Sequence, residues 1–321
     1  MKYRSLGRTG IPVSEVSLGT WAFGSPVYGS VAASEATRAI RGALDAGITF
    51  FDTAPLYGTK EEDGIAEKVL GSALGADRDR VCLATKFGRY PTQGHLNTFF
   101  SAAGVTRSVE DSLRRLGTDR LDVLFFHSPF GPEQIEDDVW GALETLKASG
   151  KVRAVGHSLS LFEQTRGMCR AWAAAGRIDV VQIVYSLMNR ETETFITELG
   201  EMGIGIVARE SLANGFLGGT FDRDIVFPAG SLNARYSRAE IVERVETADR
   251  YKALLVRGEI KSLAAAAMRW VLDHPHVSLV LAGSRKLEEI LDCAAASDAA
   301  PYSAAELAAA RRLHVKDFPP A

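Results

Sequence analysis

The stretch Leu121–His127, which reads LDVLFFH, decides the fold class of this chain. Its apolar side chains fall on both faces of an extended strand, and an imidazole ends it. Residues 178–185, IDVVQIVY, have the same character. Strands that are apolar on both faces are typical of parallel sheets, because helices cover each side of such a sheet. The sequence therefore predicts an α/β protein with a buried parallel sheet.

Eight short apolar stretches alternate with segments in which apolar residues recur at helical spacing, such as Ala36, Ile40 and Leu44. The predicted strands are 16–18, 49–52, 81–86, 121–127, 154–158, 180–185, 204–209 and 279–282. Eight strand–helix units in one chain predict a (β/α)8 TIM barrel. A doubly wound sheet is the alternative, and it is disfavoured because no glycine-rich turn follows an early strand.

Three segments fall outside the eight units. Residues 1–16 contain turn residues between short strand-like pieces and predict an N-terminal β-hairpin. Residues 212–238 are rich in glycine and irregular, which is typical of a functional loop. Residues 302–313 predict an extra C-terminal helix, with Ser303 as its N-cap. No linker divides the chain, so we expect residues 1–321 to form a single barrel domain.

Composition excludes several classes of function. The chain has 321 residues and a formal net charge of −3, so no basic field for nucleic acid or anionic lipid is expected. Its three cysteines fit neither a disulfide framework nor a zinc pattern, and no metal is predicted. No signal peptide and no membrane-spanning run is recognised, so we expect a cytoplasmic protein. The sequence leaves open whether it is a monomer or a homo-oligomer.

Four ionisable side chains fall at or just after the ends of three neighbouring predicted strands. Asp52 ends the second strand and Tyr57 lies in the loop after it, while Lys86 and His127 end the third and fourth strands. The C-terminal ends of barrel strands surround one mouth, where active sites lie. Each residue also has a structural interpretation, as a cap, a packed ring, a snorkelling cation or a core histidine. We favour the functional interpretation because the structural one requires four coincidences.

These four residue types together suit proton transfer to an oxygen. The ammonium of Lys86 would favour the phenolate and lower the pKa of Tyr57. Asp52 would keep Lys86 charged, and His127 would hydrogen-bond a carbonyl oxygen. The set predicts a general acid for carbonyl reduction by hydride, or for the reverse oxidation. A Schiff base on Lys86 is an alternative, which Asp52 disfavours by keeping the amine protonated.

The chain resembles the aldo-keto reductases nearly from end to end. The motifs that carry the resemblance include DTAPLYG at 52–58, ATKFG at 84–88, GKVRAVGHS at 150–158, GIGIVARESLANGFLGG at 203–219 and LAGSR at 281–285. The resemblance implies a (β/α)8 barrel that uses NAD(P)(H) without a Rossmann fold. It also implies that Asp52, Tyr57, Lys86 and His127 form a catalytic tetrad, in which Tyr57 is the general acid/base.

The resemblance also implies the cofactor contacts. These are Gly19, Thr20, Trp21, Ser158, Gln182, Tyr185, Arg209, Ser211, Leu212, Gly215, Gly283, Ser284, Arg285 and Glu289. Ser158 and Gln182 would hold the carboxamide, and Arg209 would stack on the nicotinamide unless it pairs with Glu210 instead. Glu289 stands where many members hold a 2′-phosphate with arginine. Between NADP(H) and NAD(H), we therefore expect tolerance of, or preference for, NAD(H).

The pocket walls are predicted to come from the loops after the strands. The candidate substrate residues are Trp21, Tyr28, Leu56, Tyr90, Phe130 and His157. This mixture suits a sugar, a sugar-like polyol or a small aromatic aldehyde. The predicted function is an NAD(P)(H)-dependent oxidoreductase that interconverts a small-molecule aldehyde or ketone and its alcohol. A cofactor-binding regulatory subunit, a type of protein that the family also contains, is the alternative.

Overall fold

Eight parallel strands close into a barrel at the centre of the computed structural model, which describes residues 1–25, 31–94 and 100–318. The strands of the chain are β1 (Tyr3–Ser5), β2 (Pro12–Ser14), β3 (Val16–Gly19), β4 (Phe50–Asp52), β5 (Cys82–Phe87), β6 (Leu121–His127), β7 (Val152–Ser158), β8 (Val180–Val184), β9 (Gly205–Arg209) and β10 (Val277–Ala282). Strands β3 to β10 follow one another around the barrel, and β10 pairs with β3 to close it. The predicted TIM barrel is confirmed.

Helices surround the barrel. They are α1 (Trp21–Gly24), α2 (Ala33–Asp45), α3 (Ile65–Leu74), α4 (Ala102–Leu116), α5 (Val139–Ala148), α6 (Phe162–Ala174), α7 (Glu193–Glu201), α8 (Arg238–Leu255), α9 (Leu263–Leu272), α10 (Leu287–Ala294) and α11 (Ala304–Leu313). Within the described ranges, no helix combines the length and the apolar character that a membrane crossing would need.

The strands alternate between two apolar environments. In β6, Val123 and Phe125 belong to the cluster that fills the barrel interior, whereas Leu124 and Phe126 belong to the larger cluster between barrel and helices. All seven residues of β6 are buried, as expected for a strand that is covered on both sides. Position along a strand therefore decides whether a side chain faces the barrel axis or the helices.

The predicted N-terminal hairpin is confirmed, and it closes the N-terminal end of the barrel. Strands β1 and β2 pair antiparallel, and Leu6 and Ile11 from the segment between them join the interior cluster. Gly7 has a φ of 54°, and a Cβ there would lie 2.2 Å from the backbone nitrogen of Gly205. Only glycine permits this approach, because it has no Cβ and accepts positive φ.

Helix α8 is absent from the sequence prediction. Its buried residues include Ile241 and Val245, but Arg244 and Thr247 are buried on it as well. The apolar stripe that indicates a helix is therefore interrupted. The preceding segment, residues 212–238, is irregular as predicted and contains only short 3-10 turns before α8 begins.

The C-terminal helix α11 is confirmed, and its first turn has the predicted capping box. The hydroxyl of Ser303 accepts from the N–H of Glu306, and the Glu306 carboxylate accepts from the N–H of Ser303. After α11 the chain returns towards the segment between β8 and α7. The N–H of Phe318 donates to the carbonyl of Met188 at 2.8 Å, and the Phe318 carbonyl accepts from the Asn189 amide at 3.1 Å.

Candidate active site

The C-terminal ends of six neighbouring strands supply the side chains of the site. These are Asp52, Lys86, His127, Ser158, Gln182 and Arg209. Each stands an even number of positions after an interior residue of its own strand, such as Phe50 before Asp52 and Ala84 before Lys86. Because side chains alternate along a strand, all six face the barrel axis just above the apolar interior.

Lys86 and Asp52 form a buried ion pair. The Lys86 Nζ lies 2.6 Å from Asp52 Oδ1 and 2.8 Å from Oδ2, and it also donates to the Thr53 carbonyl at 2.9 Å. Lys86 is 1% exposed and Asp52 is 2% exposed. Burial alone would lower the pKa of Lys86, but the Asp52 carboxylate, together with Tyr57, raises it above its usual value. The amine is therefore a cation at neutral pH.

Tyr57 completes the group. Its hydroxyl oxygen is 3.1 Å from Lys86 Nζ and 3.5 Å from Asp52 Oδ1. Its ring lies edge-on to the His127 ring, with 6.1 Å between the ring centres. The structure thus brings the four residues of the predicted tetrad together at one mouth of the barrel.

The acidity of Tyr57 differs from the sequence expectation. Burial raises the pKa of this phenol above its usual value, and the attraction of Lys86 offsets only part of that effect. The prediction of a lowered pKa is therefore wrong, because it counted the nearby cation and left out desolvation. The consequence is that Tyr57 carries its proton across the neutral range, as a proton donor must.

His127 is a neutral imidazole. Burial is the main cause that lowers its pKa well below the usual value, and the charges of Lys86, Arg89 and Arg209 lower it further. Its Nδ1 is buried and has no hydrogen-bond partner among the residues that the structure describes. A neutral ring can donate one N–H to an oxygen that approaches the mouth.

A chain of hydrogen bonds joins the predicted carboxamide contacts to the ion pair. The Ser158 hydroxyl donates to Gln182 Oε1 at 3.0 Å, and Gln182 Nε2 donates to Asp52 Oδ2 at 2.9 Å. On the other side, the Thr20 hydroxyl donates to the backbone carbonyl of Asp52 at 3.0 Å. Three of the predicted cofactor contacts, Thr20, Ser158 and Gln182, therefore share one hydrogen-bond network with the Asp52–Lys86 ion pair.

Arg209 has the alternative pairing that the sequence left open. Its guanidinium forms an ion pair with Glu210 and donates to the Leu159 carbonyl at 3.0 Å. Its Nε is buried without a partner among the described residues, so it retains an unsatisfied donor at this face. The two pairing partners hold the guanidinium plane between β7 and β9.

The loop after β9 has an unusual backbone. Glu210, Ala213, Asn214 and Gly215 all have positive φ, between 48° and 93°. The Ser211 hydroxyl is buried and donates to the Tyr185 carbonyl at 3.0 Å, which anchors the start of the loop. Leu212, another predicted contact, is partly buried against the outer core.

Two of the predicted adenosine contacts after β10, Ser284 and Glu289, contact each other. The Glu289 carboxylate accepts from the Ser284 hydroxyl and lies 3.2 Å from the Lys286 ammonium. Gly283 is exposed, and Arg285 and Glu289 keep part of their surface open to solvent. A negative charge therefore stands at the start of α10, held in place by a hydroxyl and a cation.

Three predicted site residues have side chains that face the helices. His157 is fully buried, with its ring centre 5.0 Å from that of Trp172, and burial lowers its pKa to about 3. Tyr185 packs on Trp270 at 5.0 Å in the outer core. Both occupy outward positions in the alternation of side chains along a strand. His157 directly precedes the inward Ser158, and Tyr185 comes two positions after the outward Ile183.

Tyr90 is the third of these residues. Its hydroxyl lies near Ser108 of α4, and burial raises its pKa. His157 and Tyr90 were predicted as substrate contacts, and the structure corrects both, since neither side chain reaches the mouth. Of Tyr185, only the backbone remains a candidate for contact with the cofactor.

The remaining predicted wall residues are partly exposed. Trp21 has its ring centre 6.3 Å from that of Tyr57, and Leu56 directly precedes Tyr57 in the same turn. Phe130 follows β6 and lies under the guanidinium of Arg89, 4.3 Å from it. Tyr28 lies outside the described residues. Arg89 was not predicted, although its position three residues after Lys86 placed it in a loop of the mouth.

No group of three or more metal-binding side chains occurs in the part of the chain that the structure describes. The polar groups at the mouth include the unsatisfied Arg209 Nε and the Ser158–Gln182 amide pair. Donors and amides of this kind fit a nicotinamide better than a metal ion, because a nicotinamide offers a planar ring and a carboxamide.

Comparison with known proteins identifies the family of this chain. The model of the Aldo/keto reductase family matches residues 15–314. Aldo-keto reductase YhdN of Bacillus subtilis is 32% identical over 89% of this chain and 86% of its own length. L-galactose dehydrogenase of Arabidopsis thaliana is 36% identical over 68% of this chain and 67% of its own.

A solved structure supports the same conclusion. The glycerol dehydrogenase AKR11B4 from Gluconobacter oxydans has a TM-score of 0.81 and 29% identity, over 97% of this chain and 95% of that chain. Fold, site and relatives are consistent with one another. The chain is an oxidoreductase that belongs to the aldo-keto reductase family.

Proposed function

We propose that this protein interconverts a sugar-like aldehyde or ketone and its alcohol, with Tyr57 as the general acid/base. The observation that carries the proposal is the Lys86 Nζ, which contacts both the Asp52 carboxylate and the Tyr57 hydroxyl at the barrel mouth. Two relatives are named for sugar or polyol oxidation, L-galactose dehydrogenase and glycerol dehydrogenase. Their names favour a polyhydroxylated substrate for this chain as well.

NAD(P)(H), when bound, supplies or accepts the hydride. Ser158 and Gln182 would hold the carboxamide of the cofactor, and Arg209 would present its guanidinium to the ring. The loop from Ser211 to Gly215 would approach the pyrophosphate with its backbone N–H groups. Because Gln182 also donates to Asp52, its position is tied to that of the ion pair.

Each tetrad residue has a separate role in the proposed reaction. Tyr57 gives its proton to the carbonyl oxygen as negative charge develops there, and Lys86 stabilises the phenolate that remains. Asp52 keeps Lys86 charged in a site from which water is excluded. His127, as a neutral ring, donates a hydrogen bond to the same oxygen and orients the carbonyl.

The test is a screen of aldehydes, ketones, sugars and polyols with each nicotinamide, followed at the absorbance band of the reduced cofactor. We expect turnover with at least one polyhydroxylated aldehyde or its alcohol. Tight cofactor binding with no turnover across the whole panel would contradict the proposal and favour the regulatory alternative. Borohydride trapping of a carbonyl substrate should yield no adduct on Lys86, because a protonated amine is a poor nucleophile.

For the cofactor, we propose that NAD(H) binds at least as well as NADP(H). The carboxylate of Glu289 would repel a 2′-phosphate and accept a hydrogen bond from a ribose hydroxyl. The measurement is the dissociation constant of NADH and NADPH for the same preparation. Binding of NADPH at least tenfold tighter than NADH would end this hypothesis, and Glu289→Gln should improve NADPH binding relative to NADH.

A further inference from the structure

Arg89 places a second cation beside the tetrad. It follows β5 in the loop of the mouth, and its Nη2 donates to the backbone carbonyl of Ser128 at 2.6 Å. Ser128 comes directly after His127 and has a positive φ of 53°. The guanidinium also lies over the Phe130 ring, 4.3 Å from its centre. The backbone directly after β6 and an aromatic face thus hold this cation next to His127.

The charge of Arg89 has no carboxylate opposite it within the described residues. The other two cations that perturb His127 are paired, Lys86 with Asp52 and Arg209 with Glu210. Arg89 takes part in no ion pair there, and its Nε is buried without a hydrogen-bond partner. A half-buried guanidinium with an unsatisfied donor is costly unless a ligand completes it.

The electrostatics agree with this geometry. The pKa of Arg89 is lowered to about 10, first by burial and then by the charge of Arg209. No carboxylate acts on it in the opposite direction. An anion at this position would remove part of the cost by hydrogen-bonding the guanidinium and balancing its charge.

We propose that Arg89 binds an anionic group of the substrate, a carboxylate or a phosphate, and so selects short anionic carbonyl compounds. This inference rests on the proposed function, since it names the substrate class of the same mouth. The Arg89 guanidinium is bonded to the residue next to His127, so the anion and the reacting carbonyl lie close together. The preferred substrate is therefore a short phosphorylated hydroxy-aldehyde or a short aldehyde acid rather than a long or neutral compound.

The experiment compares matched substrates in which one member of each pair carries an anionic group that the other lacks. One pair is glyceraldehyde and glyceraldehyde 3-phosphate, and the other is butanal and succinic semialdehyde. The variants are Arg89→Gln and Arg89→Lys. Arg166→Gln is the control, because Arg166 is an exposed guanidinium on α6 that pairs with Glu163. Each protein is assayed for kcat/KM with both nicotinamides and for cofactor Kd.

We expect the native protein to prefer the anionic member of at least one pair by tenfold or more. Arg89→Gln should lower kcat/KM at least about tenfold for the anionic member and by less than about threefold for the neutral one, as loss of one charge-assisted hydrogen bond predicts. Arg89→Lys should recover part of the loss, and cofactor Kd should not change. The phosphate and carboxylate pairs show which anion is accepted.

Three results would overturn the inference alone. Turnover of neutral aldehydes without any preference for the anionic members would do so and would leave the proposed function intact. An equal loss for charged and neutral substrates in Arg89→Gln would also do so, since Arg89 would then support the site rather than recognise an anion. No turnover of the anionic compounds, while other members of the broader screen are turned over, would do so as well, whereas no turnover across that whole screen would refute the proposed function and this inference together. Thermal unfolding of each variant separates these outcomes from misfolding.

Discussion

His127 and His157 are two buried neutral histidines with different surroundings. His127 ends β6, faces the mouth and lies 6.1 Å from Tyr57 between ring centres. His157 precedes the last residue of β7, faces the helices and packs on Trp172. Burial lowers both pKa values, but only His127 is also affected by neighbouring cations. The parity of a position along its strand separates a histidine that faces the mouth from one that packs among the helices.

The largest effect on activity is expected at a residue whose side chain faces the mouth. Tyr57→Phe removes the hydroxyl that we propose as the proton donor, and it should lower kcat by about a hundredfold or more, the scale of one general acid. Cofactor binding should stay almost unchanged. Tyr90→Phe is the matched control, because its hydroxyl lies near α4, and it should retain normal turnover. Near-normal activity of Tyr57→Phe would remove Tyr57 from the mechanism.

Lys86→Met tests the ion pair beneath the phenol. It leaves the Asp52 carboxylate buried without its cation, which should cost about 3–5 kcal/mol of unfolding free energy and abolish most turnover. Adding Asp52→Asn to Lys86→Met should restore stability but not activity. Urea unfolding and initial rates measure the two effects, with the exposed Lys68→Met as control. A fully stable Lys86→Met protein would show that the pair is not structurally important.

The direction of the Tyr57 pKa predicts a nearly flat pH dependence for reduction and a rising one for oxidation. Because the pKa is raised, the protonated phenol predominates at neutral pH, and reduction should vary little as pH rises from neutral towards its pKa. Oxidation needs the phenolate, so its kcat/KM should rise by up to about tenfold per pH unit over the same range. Tyr57→Phe should flatten the oxidation profile. A flat oxidation profile in the native protein would contradict the assignment.

The smallest effect on activity is expected at His157, whose side chain faces the helices. His157→Val should leave kcat within about twofold and alter stability at pH 7 by about 1 kcal/mol. Because the folded pKa is about 3 and the unfolded value is near 6.5, the unfolded state binds more protons between these values. Native stability should therefore fall by up to about 1.4 kcal/mol per unit as pH drops through this window. His157→Val should lose this part of the acid sensitivity in urea unfolding series.

Much of the fold and the core of the site could be predicted from the sequence. Strands such as Leu121–His127 are mostly apolar on both faces and end in an ionisable residue, so both the barrel and its mouth can be located. Asp52, Lys86 and His127 face inward because each has an interior residue two positions earlier in its strand, and Tyr57 follows in the loop after Asp52. The motif GKVRAVGHS gave no such information for His157, since a motif marks a segment and does not state which face each side chain takes.

Other features required three-dimensional information. The raised pKa of Tyr57 depends on the balance between burial and the Lys86 charge, and a sequence lists only the charge. Helix α8 has no continuous apolar stripe because it buries Arg244 and Thr247. Arg89 has no carboxylate partner among the described residues. A sequence cannot show this, because it does not give the positions of the nearby carboxylates.

In the proposed reaction, the apolar filling below the tetrad decides from which side Tyr57 would regain its proton. Beneath Asp52 and Lys86 the interior is packed with residues such as Phe50, Ala84 and Phe125, and the hairpin closes its far end. Packed apolar side chains offer a proton no hydrogen-bonding groups to pass along. Reprotonation after each reduction would therefore take place from the mouth. A ligand that closes this opening would block proton exchange as well as entry, so the product would leave before Tyr57 is reprotonated.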